Sequence, residues 1–513
     1  MNHPQWVALA VFAALFIFVA WLGIRAARWR RGDLNLLHEW GLGGRRFGTL
    51  ITWFLVGGDL YTAYTFIAVP ALAFGAGATA FFAVPYTILA YPIFFLVFPR
   101  LWEICRREGY ITVADFVRGR FDNRWLALAI TLTGIVATLP YIALQLLGLQ
   151  VVIGALGIGS AGIASYLPLL IAFGILAVFT HSSGLRAPAS IAIVKDVLIY
   201  ATTITAIVYI PIHLGGFGRI FAAVPRAKLL LETPGPHSTG SYGAYATLAL
   251  GSALALFLYP HAITGVLSAN SSRALKRNAA LLPAYSLLLG LLVLMGFFAI
   301  AAGVAQRPQF AAGFHLYGNS FSVPALLLQM FPGWFVGIAF AAIGIGALVP
   351  AAIMSIASAN LYARNIHREF IEPNPSPHHE ARTAKWAALL IKLGALAFVL
   401  WVPTDYAVYL QLLGGIWIIQ TLPAVLLGTF SDWLNDWALL VGWAAGIIAG
   451  TAMAFATHLT PSYTLHVAGW SLPGYSAFYT LLLNLLLAVL LTPLFEGCAP
   501  RASRPATSRA ATS

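Results

Sequence analysis

The sequence predicts an all-α membrane protein that crosses a bilayer about thirteen times. Of its 513 residues, 60% are hydrophobic and only 9% are charged, whereas roughly 25% of the residues of a soluble domain are charged. The apolar residues fall into runs, and a run of about 20 residues can cross a bilayer as a helix. An ordinary soluble domain is therefore excluded. The candidate spans, numbered in order, are residues 5–24, 49–72, 80–99, 125–153, 163–182, 189–212, 246–268, 279–303, 333–362, 384–403, 405–430, 437–457 and 474–494.

Positive charge lies almost entirely on one side of the predicted bilayer. Loops that follow odd-numbered spans, together with the C-terminal tail, carry 23 Lys and Arg residues, the opposite side carries four, and two lie inside spans. Cytoplasmic loops are enriched in these residues, so the N-terminus is predicted outside and the C-terminus in the cytoplasm. The net charge of +13 thus indicates topology, and no nucleic-acid partner is expected.

The chain is predicted to form one membrane domain, residues 1–498, followed by a disordered cytoplasmic tail, residues 499–513, that is rich in Arg, Ser, Ala and Thr. The two cysteines both fall on the cytoplasmic side, so no disulfide is expected. The two long external stretches, 213–245 and 304–332, are predicted to be lids or surface helices. The paired histidines of the cytoplasmic loop after span 9, His378 and His379, are expected to be solvated rather than bound to a metal.

Two spans carry features that interrupt a helix. Span 2 contains Gly57, Gly58 and Asp59; glycines weaken a helix, and a carboxylate inside a span is costly and marks a substrate or ion pathway. Span 7 contains Pro260 between Tyr259 and His261, and proline removes a backbone donor and frees a carbonyl. Taken alone, each break is equally compatible with a packing kink.

The relation between the two breaks favours a functional origin. Span 2 runs from inside to outside, span 7 runs from outside to inside, and they are five spans apart. Broken helices at equivalent places in oppositely oriented halves indicate an inverted repeat, spans 2–6 against spans 7–11, with span 1 and spans 12–13 peripheral. Such repeats with midplane breaks are typical of secondary transporters.

Several short motifs together resemble the sodium:solute symporter family, whose inverted-repeat fold is shared with leucine transporters. The resemblance covers spans 1 to 13, and the set is specific although each motif alone is weak. Within the family, Asp59–Phe66 and Met354–Leu361 are most similar to the bacterial monocarboxylate permease branch. The motifs are Gly43–Gly48, Arg107–Phe116 with Arg120 and Phe121, Gly184–Ala187, Pro260–His261, Ala351–Ser355 and Leu412–Pro423.

The resemblance implies a sodium site between the break of span 2 and span 9. The matching ligands are the carbonyl oxygens of Gly57, Leu60 and Ala352 and the hydroxyl of Ser355, in agreement with the preference of a hard cation for oxygen. The next position usually carries a second hydroxyl in this family, but this chain has Ile356. The missing ligand puts a standard sodium site in doubt.

A lysine inside span 6 offers a different coupling mechanism. Lys195 lies about eight residues into the span, or roughly 12 Å, and its ammonium needs a carboxylate partner, either Asp196 or Asp59. In proton-coupled relatives of the wider superfamily, a lysine on the corresponding helix takes the place of the sodium ion. Lys195 alternatively snorkels to the cytoplasmic face, as is expected for Lys392. The coupling ion, H⁺ or Na⁺, therefore stays open.

The predicted substrate is a small organic anion. Half-helix N-termini at the breaks supply positive potential, and no arginine lies near the middle of a span. His261 is the strongest candidate because an imidazole beside a helix break can donate a hydrogen bond to a carboxylate. The alternative for each candidate is a polar residue that packs between helices and does not contact substrate. The candidates are Tyr61, Thr62, Tyr64, Thr65, Tyr141, Gln145, Tyr259, His261, Thr264 and Gln411.

These observations predict a secondary active symporter that imports short-chain monocarboxylates such as lactate, pyruvate, propionate or acetate. The location implied by the resemblance is the bacterial cytoplasmic membrane, with the lipid bilayer and the solute as partners, no cofactor, and a monomeric state. Alternatives are a sodium-coupled symporter of another solute, such as proline, pantothenate or a sugar, and a channel or sensor. The spans hold no Ser/His pair, metal-spaced His/Glu set or paired aspartates, so an enzyme is not expected.

Overall fold

The computed structural model describes residues 5–29, 32–58, 62–158, 167–401 and 409–498. This part of the chain is mainly helical, as its apolar runs predict. In the first half of the chain the helices are α1 Trp6–Arg25, α2 Leu37–Leu42, α3 Thr49–Thr52, α4 Val69–Ala76, α5 Ala83–Arg107, α6 Val113–Phe121, α7 Arg124–Ala155, α8 Leu167–Ser183, α9 Arg186–His213, α10 Phe217–Ala223 and α11 Arg226–Leu229.

The described residues of the second half add twelve more helices and two strands. The helices are α12 Gly240–Leu256, α13 Pro260–Leu267, α14 Ser272–Leu281, α15 Pro283–Ala301, α16 Ala311–Tyr317, α17 Ser322–Met330, α18 Gly333–Tyr362, α19 Pro377–Trp401, α20 Leu410–Ile418, α21 Gly428–Phe430, α22 Asp436–Ala456 and α23 Ser476–Cys498, and the strands are β1 Ser462–Val467 and β2 Trp470–Tyr475.

Among the described residues, eight helices are long and apolar enough to cross a membrane, or up to ten if each of two bent pairs is one span. The multi-pass architecture agrees with the sequence, whereas the count of thirteen is not confirmed. One reason is that predicted spans 2 and 3 share a single helical stretch, Tyr64–Arg107. A second is that the apolar helix Leu169–Ser183, within predicted span 5, is short.

The two bent pairs place helix breaks in spans 7 and 11. Helices α12 and α13 meet at 46°, and the segments Leu410–Thr421 and Pro423–Phe430 meet at 41°. The first bend lies at the break predicted from Pro260. The second was not predicted, although Pro423 supplies the usual cause of a helix kink.

Helix α18 is the core of the molecule. In the segment Gly333–Ile371, which contains α18, 94% of an apolar stretch of 18 residues is buried. The corresponding share is 28% in the segments that contain α1 and α23. A helix that is apolar all round must be surrounded by other helices, and α18 contacts α1, α7, α9 and α19. Small residues permit this approach; a Cβ at Gly337 would lie 2.6 Å from the carbonyl oxygen of Ala8.

Gly77, between α4 and α5, lies in close contact with the backbone of α11. This residue has φ +70°, and a Cβ there would lie 2.3 Å from the carbonyl oxygen of Lys228, so glycine is required on both counts. The Lys228 ammonium donates to the carbonyl oxygen of Phe74 at 2.6 Å. Helix α11 is thereby bonded to α4.

A β-hairpin between α22 and α23 departs from the all-α prediction. Strands β1 and β2 pair in antiparallel register from Ser462 with Tyr475 to Val467 with Trp470. The two-residue turn, Ala468 and Gly469, has φ of +49° and +81°, as the tight turns of two-residue hairpins often do. Alternating Tyr, Leu and Val residues before Ala-Gly carried this signal in the sequence.

Candidate functional site

The break of span 2 consists of two π-helical turns on either side of the predicted interruption. The first is Trp53–Gly57, which ends at Gly58, and the second is Tyr64–Ala68, which leads into α4. π-Helical turns are frequent at functional sites. The predicted site residues Asp59, Leu60 and Tyr61 lie outside the described residues, so their roles stay predictions.

The ammonium of Lys195 reaches this break. Its Nζ donates a hydrogen bond to the carbonyl oxygen of Gly58 and lies 3.1 Å from Oδ1 of Asp196. Both side chains, which come from α9, are 0% exposed. A Cβ at Gly58 would lie 2.6 Å from Oδ2 of Asp196 and 2.9 Å from Nζ of Lys195. The ion pair is therefore packed directly against the span 2 backbone, rather than extended toward the cytoplasm.

Tyr285, which the sequence analysis missed, completes the environment of the pair. Its hydroxyl donates to Oδ2 of Asp196 at 2.7 Å, and its ring lies 4.8 Å from the ring of Trp53 in the first π-helical turn. A buried carboxylate needs more than one hydrogen-bonding partner. This need was the only indication in the sequence that Asp196 has a further donor. We refer to Gly58, Lys195, Asp196 and Tyr285 as the lysine cluster.

The span 9 residues of the predicted sodium site lie on α18. The Ser355 hydroxyl donates to the carbonyl oxygen of Ala352 at 2.8 Å, so the two predicted ligand oxygens are adjacent. Both residues and Ile356 are 0% exposed. The Ser355 oxygen keeps acceptor capacity for a cation, whereas the Ile356 side chain offers none. Helix α18 packs against α9, which carries Lys195.

Three predicted substrate residues cap the second half of span 2. The Gln145 side chain accepts from the Ala63 N–H at 2.9 Å, Thr65 accepts from the Thr62 N–H at 3.0 Å, and Thr62 accepts from the Tyr64 N–H at 3.0 Å. These bonds satisfy donors that a helix start leaves open. Thr62, Thr65 and Gln145 thus hold the broken helix in shape, in addition to any contact with substrate.

Three predicted substrate residues form an aromatic cluster at the break of span 7. The ring centroid of Tyr141 lies 5.4 Å from that of Tyr259 and 5.3 Å from that of His261, and the latter two are 5.3 Å apart. All three side chains are buried. Two of the contacts are edge-to-face, an arrangement that aromatic rings favour. We call Tyr141, Tyr259 and His261 the aromatic cluster.

Helix α7 relates the two breaks to each other. Tyr141 and Gln145 are four residues apart and so lie on one face of this helix. Gln145 caps the second half of span 2, and Tyr141 contacts the residues of the span 7 break. The two breaks therefore face the same side of α7, as the predicted substrate site requires.

The break of span 7 is also bonded to span 11. The Tyr259 hydroxyl donates to the backbone carbonyl of Gln411 at 2.9 Å, and the Tyr475 hydroxyl donates to the next carbonyl, that of Leu412, at 2.5 Å. The Gln411 side-chain oxygen is buried and has no hydrogen-bond partner among the described residues. It is therefore a free acceptor in a residue whose backbone contacts the aromatic cluster. Tyr475 is a further residue that the sequence did not reveal.

The other two candidates are buried near these groups. Tyr64 is 3% exposed in the second π-helical turn, and Thr264 is 4% exposed on α13. Thr264 lines a small cavity between α13, α18 and the start of α6. On the predicted topology this cavity lies on the cytoplasmic side of the aromatic cluster.

Comparison with known proteins identifies similar chains. A monocarboxylate transport permease protein of Rhizobium johnstonii is 47% identical over 501 residues, which cover 96% of this chain and 98% of the relative. The uncharacterized symporter YodF of Bacillus subtilis is 35% identical over 492 residues, which cover 95% of this chain and 93% of YodF.

A solved structure has the same overall fold. A substrate-bound, outward-open Na⁺-coupled sialic acid symporter superposes with a TM-score of 0.75 at 16% identity, covering 95% of this chain and 98% of that chain. The predicted fold class is thus confirmed. The model of the sodium:solute symporter family matches residues 40–446, and the chain accordingly belongs to the sodium:solute symporter family.

Proposed function

We propose that this symporter imports short-chain monocarboxylates, such as lactate, pyruvate, propionate or acetate, and that Lys195 takes the place of a sodium ion so that transport follows the proton gradient. The observation that carries the coupling proposal is the hydrogen bond from the buried Lys195 ammonium to the carbonyl of Gly58. A carbonyl freed by a helix break is the kind of group that holds a coupling cation.

The substrate proposal is supported by the relative from Rhizobium johnstonii, whose name is monocarboxylate transport permease protein. It is also supported by the surroundings of His261, which lies in the first turn of α13 beside two tyrosine rings. The first turn of a helix has N–H groups that favour an anion. His261 can add a side-chain donor, and Gln411 can accept from the hydroxyl of a hydroxy acid or from a protonated carboxyl group.

In the proposed cycle, a protonated Lys195 bridges Gly58 and Asp196 and holds the span 2 break against α9. Loss of its proton toward the cytoplasm removes the charge, weakens both contacts, and lets the break separate from α9. Return of a proton from outside restores the bridge. A buried lysine suits this role because its charge is easily lost when its partners change.

Sodium coupling is the second candidate. It is supported by the adjacent oxygens of Ser355 and Ala352 and by the sodium coupling of the solved symporter with this fold. In this case Lys195 only pairs with Asp196, and water supplies the ligand that Ile356 does not.

The substrate proposal can be tested with purified protein in liposomes. We expect saturable accumulation of radiolabelled pyruvate or lactate against its gradient, and inhibition by unlabelled propionate but not by proline. His261→Ala should lose most of this uptake, whereas His213→Ala, at an exposed external position, should retain it. Accumulation of proline instead of monocarboxylates, or uptake that only dissipates a gradient, would reject the proposal. Unchanged uptake by His261→Ala would reject the substrate site.

A further inference from the structure

Three potential metal ligands meet at one end of α18, away from the lysine and aromatic clusters. They are His367, in the π-helical segment Ala363–Ile371 that follows α18, Glu372 in the next loop, and His379 in the first turn of α19. Oε2 of Glu372 lies 3.8 Å from Nε2 of His367 and 3.2 Å from Nε2 of His379. One ligand atom from each residue lies within 4.8 Å of the other two.

The chain around these residues holds them in place. Arg364, one turn before His367, bonds to Glu380, the residue after His379, at 3.2 Å. The N–H of Glu372 bonds to the carbonyl of His367 at 2.8 Å, and the N–H of His379 bonds to the Ser376 hydroxyl at 3.2 Å. Arg364 therefore joins the end of α18 to the start of α19, and the two backbone bonds fix the loop that carries Glu372 and His379.

The spacing suits a small tetrahedral ion. Zinc binds imidazole nitrogen and carboxylate oxygen at about 2.0–2.2 Å, which separates neighbouring ligand atoms by about 3.4 Å. The observed 3.2 and 3.8 Å lie on either side of that separation. Two histidines, one carboxylate and an open fourth position form a known zinc ligand set.

The two histidine rings of the site lie side by side. Their planes are 22° apart and their centroids 5.6 Å apart. Nδ1 of His367 is buried and has no hydrogen-bond partner among the described residues. Neutral imidazole is the form that binds metal.

We propose that His367, Glu372 and His379 bind a divalent transition-metal ion, with Zn²⁺ the best match. On the predicted topology the site faces the cytoplasm. The ion would clamp the end of α18 to the start of α19, beside Arg364, which also contacts Asp115 of α6 at 3.3 Å. The sequence alone predicts a solvated His379, like His378, because the convergence with His367 is not visible in the loop.

The test uses the purified full-length protein in nanodiscs, prepared with an affinity tag that lacks histidine. Titration with Zn²⁺ should give one bound ion per chain, and Co²⁺ should give the absorption of a tetrahedral site. His379→Ala and Glu372→Gln should each weaken binding at least about tenfold. His378→Ala is the matched control, because this neighbouring ring lies 3.6 Å from Asp33 rather than near Glu372, and its binding should match the wild type.

Absence of Zn²⁺ binding by the wild type would overturn the proposal, as would equal loss of binding in His378→Ala and His379→Ala. Melting temperatures measured without metal show whether a variant that fails to bind Zn²⁺ is still folded. If His379→Ala is destabilised, Glu372→Gln decides whether a ligand or the fold was lost, because this change keeps the size of the side chain. Normal binding by a well-folded Glu372→Gln would remove the carboxylate from the site.

Discussion

At the residue scale, the lysine cluster explains why span 2 has adjacent glycines at its break. A Cβ at Gly57 would lie 2.2 Å from a ring carbon of Tyr285, and one at Gly58 would lie 2.6 Å from Asp196. The sequence predicted a carboxylate partner for Lys195, either Asp196 or Asp59, and left open that Lys195 snorkels to the membrane surface. It could not indicate Tyr285, which is 89 residues from Asp196 in the chain, because a single tyrosine in an apolar span gives no sign of its partner.

Gly58→Ala tests this close contact. The added methyl must displace the Lys195–Asp196 pair, and overpacking of this kind typically costs about 1–3 kcal/mol of stability. We expect a lower melting temperature and a large loss of uptake. Gly174→Ala is the control, since no atom lies within 4 Å of a Cβ there, and it should behave as the wild type. If Gly58→Ala and Gly174→Ala had the same stability and uptake, the Lys195–Asp196 pair would not be in close contact with the backbone at Gly58.

At the element scale, the broken helices are held by side chains from intact or neighbouring helices. Gln145 of α7 caps the second half of span 2, and Tyr259 bonds the span 7 break to Gln411. The sequence predicted both breaks because glycine and proline act locally on the backbone. It did not predict the capping role of Gln145, because an amide in an apolar span has the same appearance whether it binds substrate or backbone.

Gln145→Leu tests the capping role. The change leaves the buried Ala63 N–H without its acceptor, which costs about 1–3 kcal/mol, and we expect loss of both thermal stability and uptake. Gln329→Leu is the matched control, because Gln329 donates to the carbonyl oxygen of Ala302 at 3.0 Å and lies at neither helix break. A stable Gln145→Leu variant with altered substrate selectivity would instead indicate that this amide mainly contacts substrate.

At the scale of the whole molecule, composition and charge predicted the fold class, since they set which segments enter the bilayer. The number of spans could not be fixed in this way, because hydropathy does not distinguish a short or charged helix in the bilayer from one at its surface. The sequence analysis did not predict the hairpin of β1 and β2. Its register depends on the turn at Ala468 and Gly469, which is a short signal between two long apolar runs.

Topology makes a prediction at this scale. With the N-terminus outside and the C-terminus in the cytoplasm, Cys498 should react with an impermeant maleimide in inside-out vesicles but not in intact cells. Cys105 is 0% exposed and should contribute little; a Cys105→Ser chain removes any remaining signal. Labelling of Cys498 from outside intact cells would reverse the orientation, and with it the direction of the proposed cycle.

The central claim is that Lys195 replaces the coupling sodium ion. Its most direct measurement is uptake of radiolabelled pyruvate into proteoliposomes at a fixed pH gradient with sodium removed, for the wild type, Lys195→Ala and Lys392→Ala. Lys392, which the sequence predicted to snorkel, is instead buried on α19, and its variant controls for the loss of a buried lysine. We predict sodium-independent uptake by the wild type and Lys392→Ala, and only uncoupled, non-accumulating exchange by Lys195→Ala. Complete loss of wild-type transport without sodium would contradict the claim.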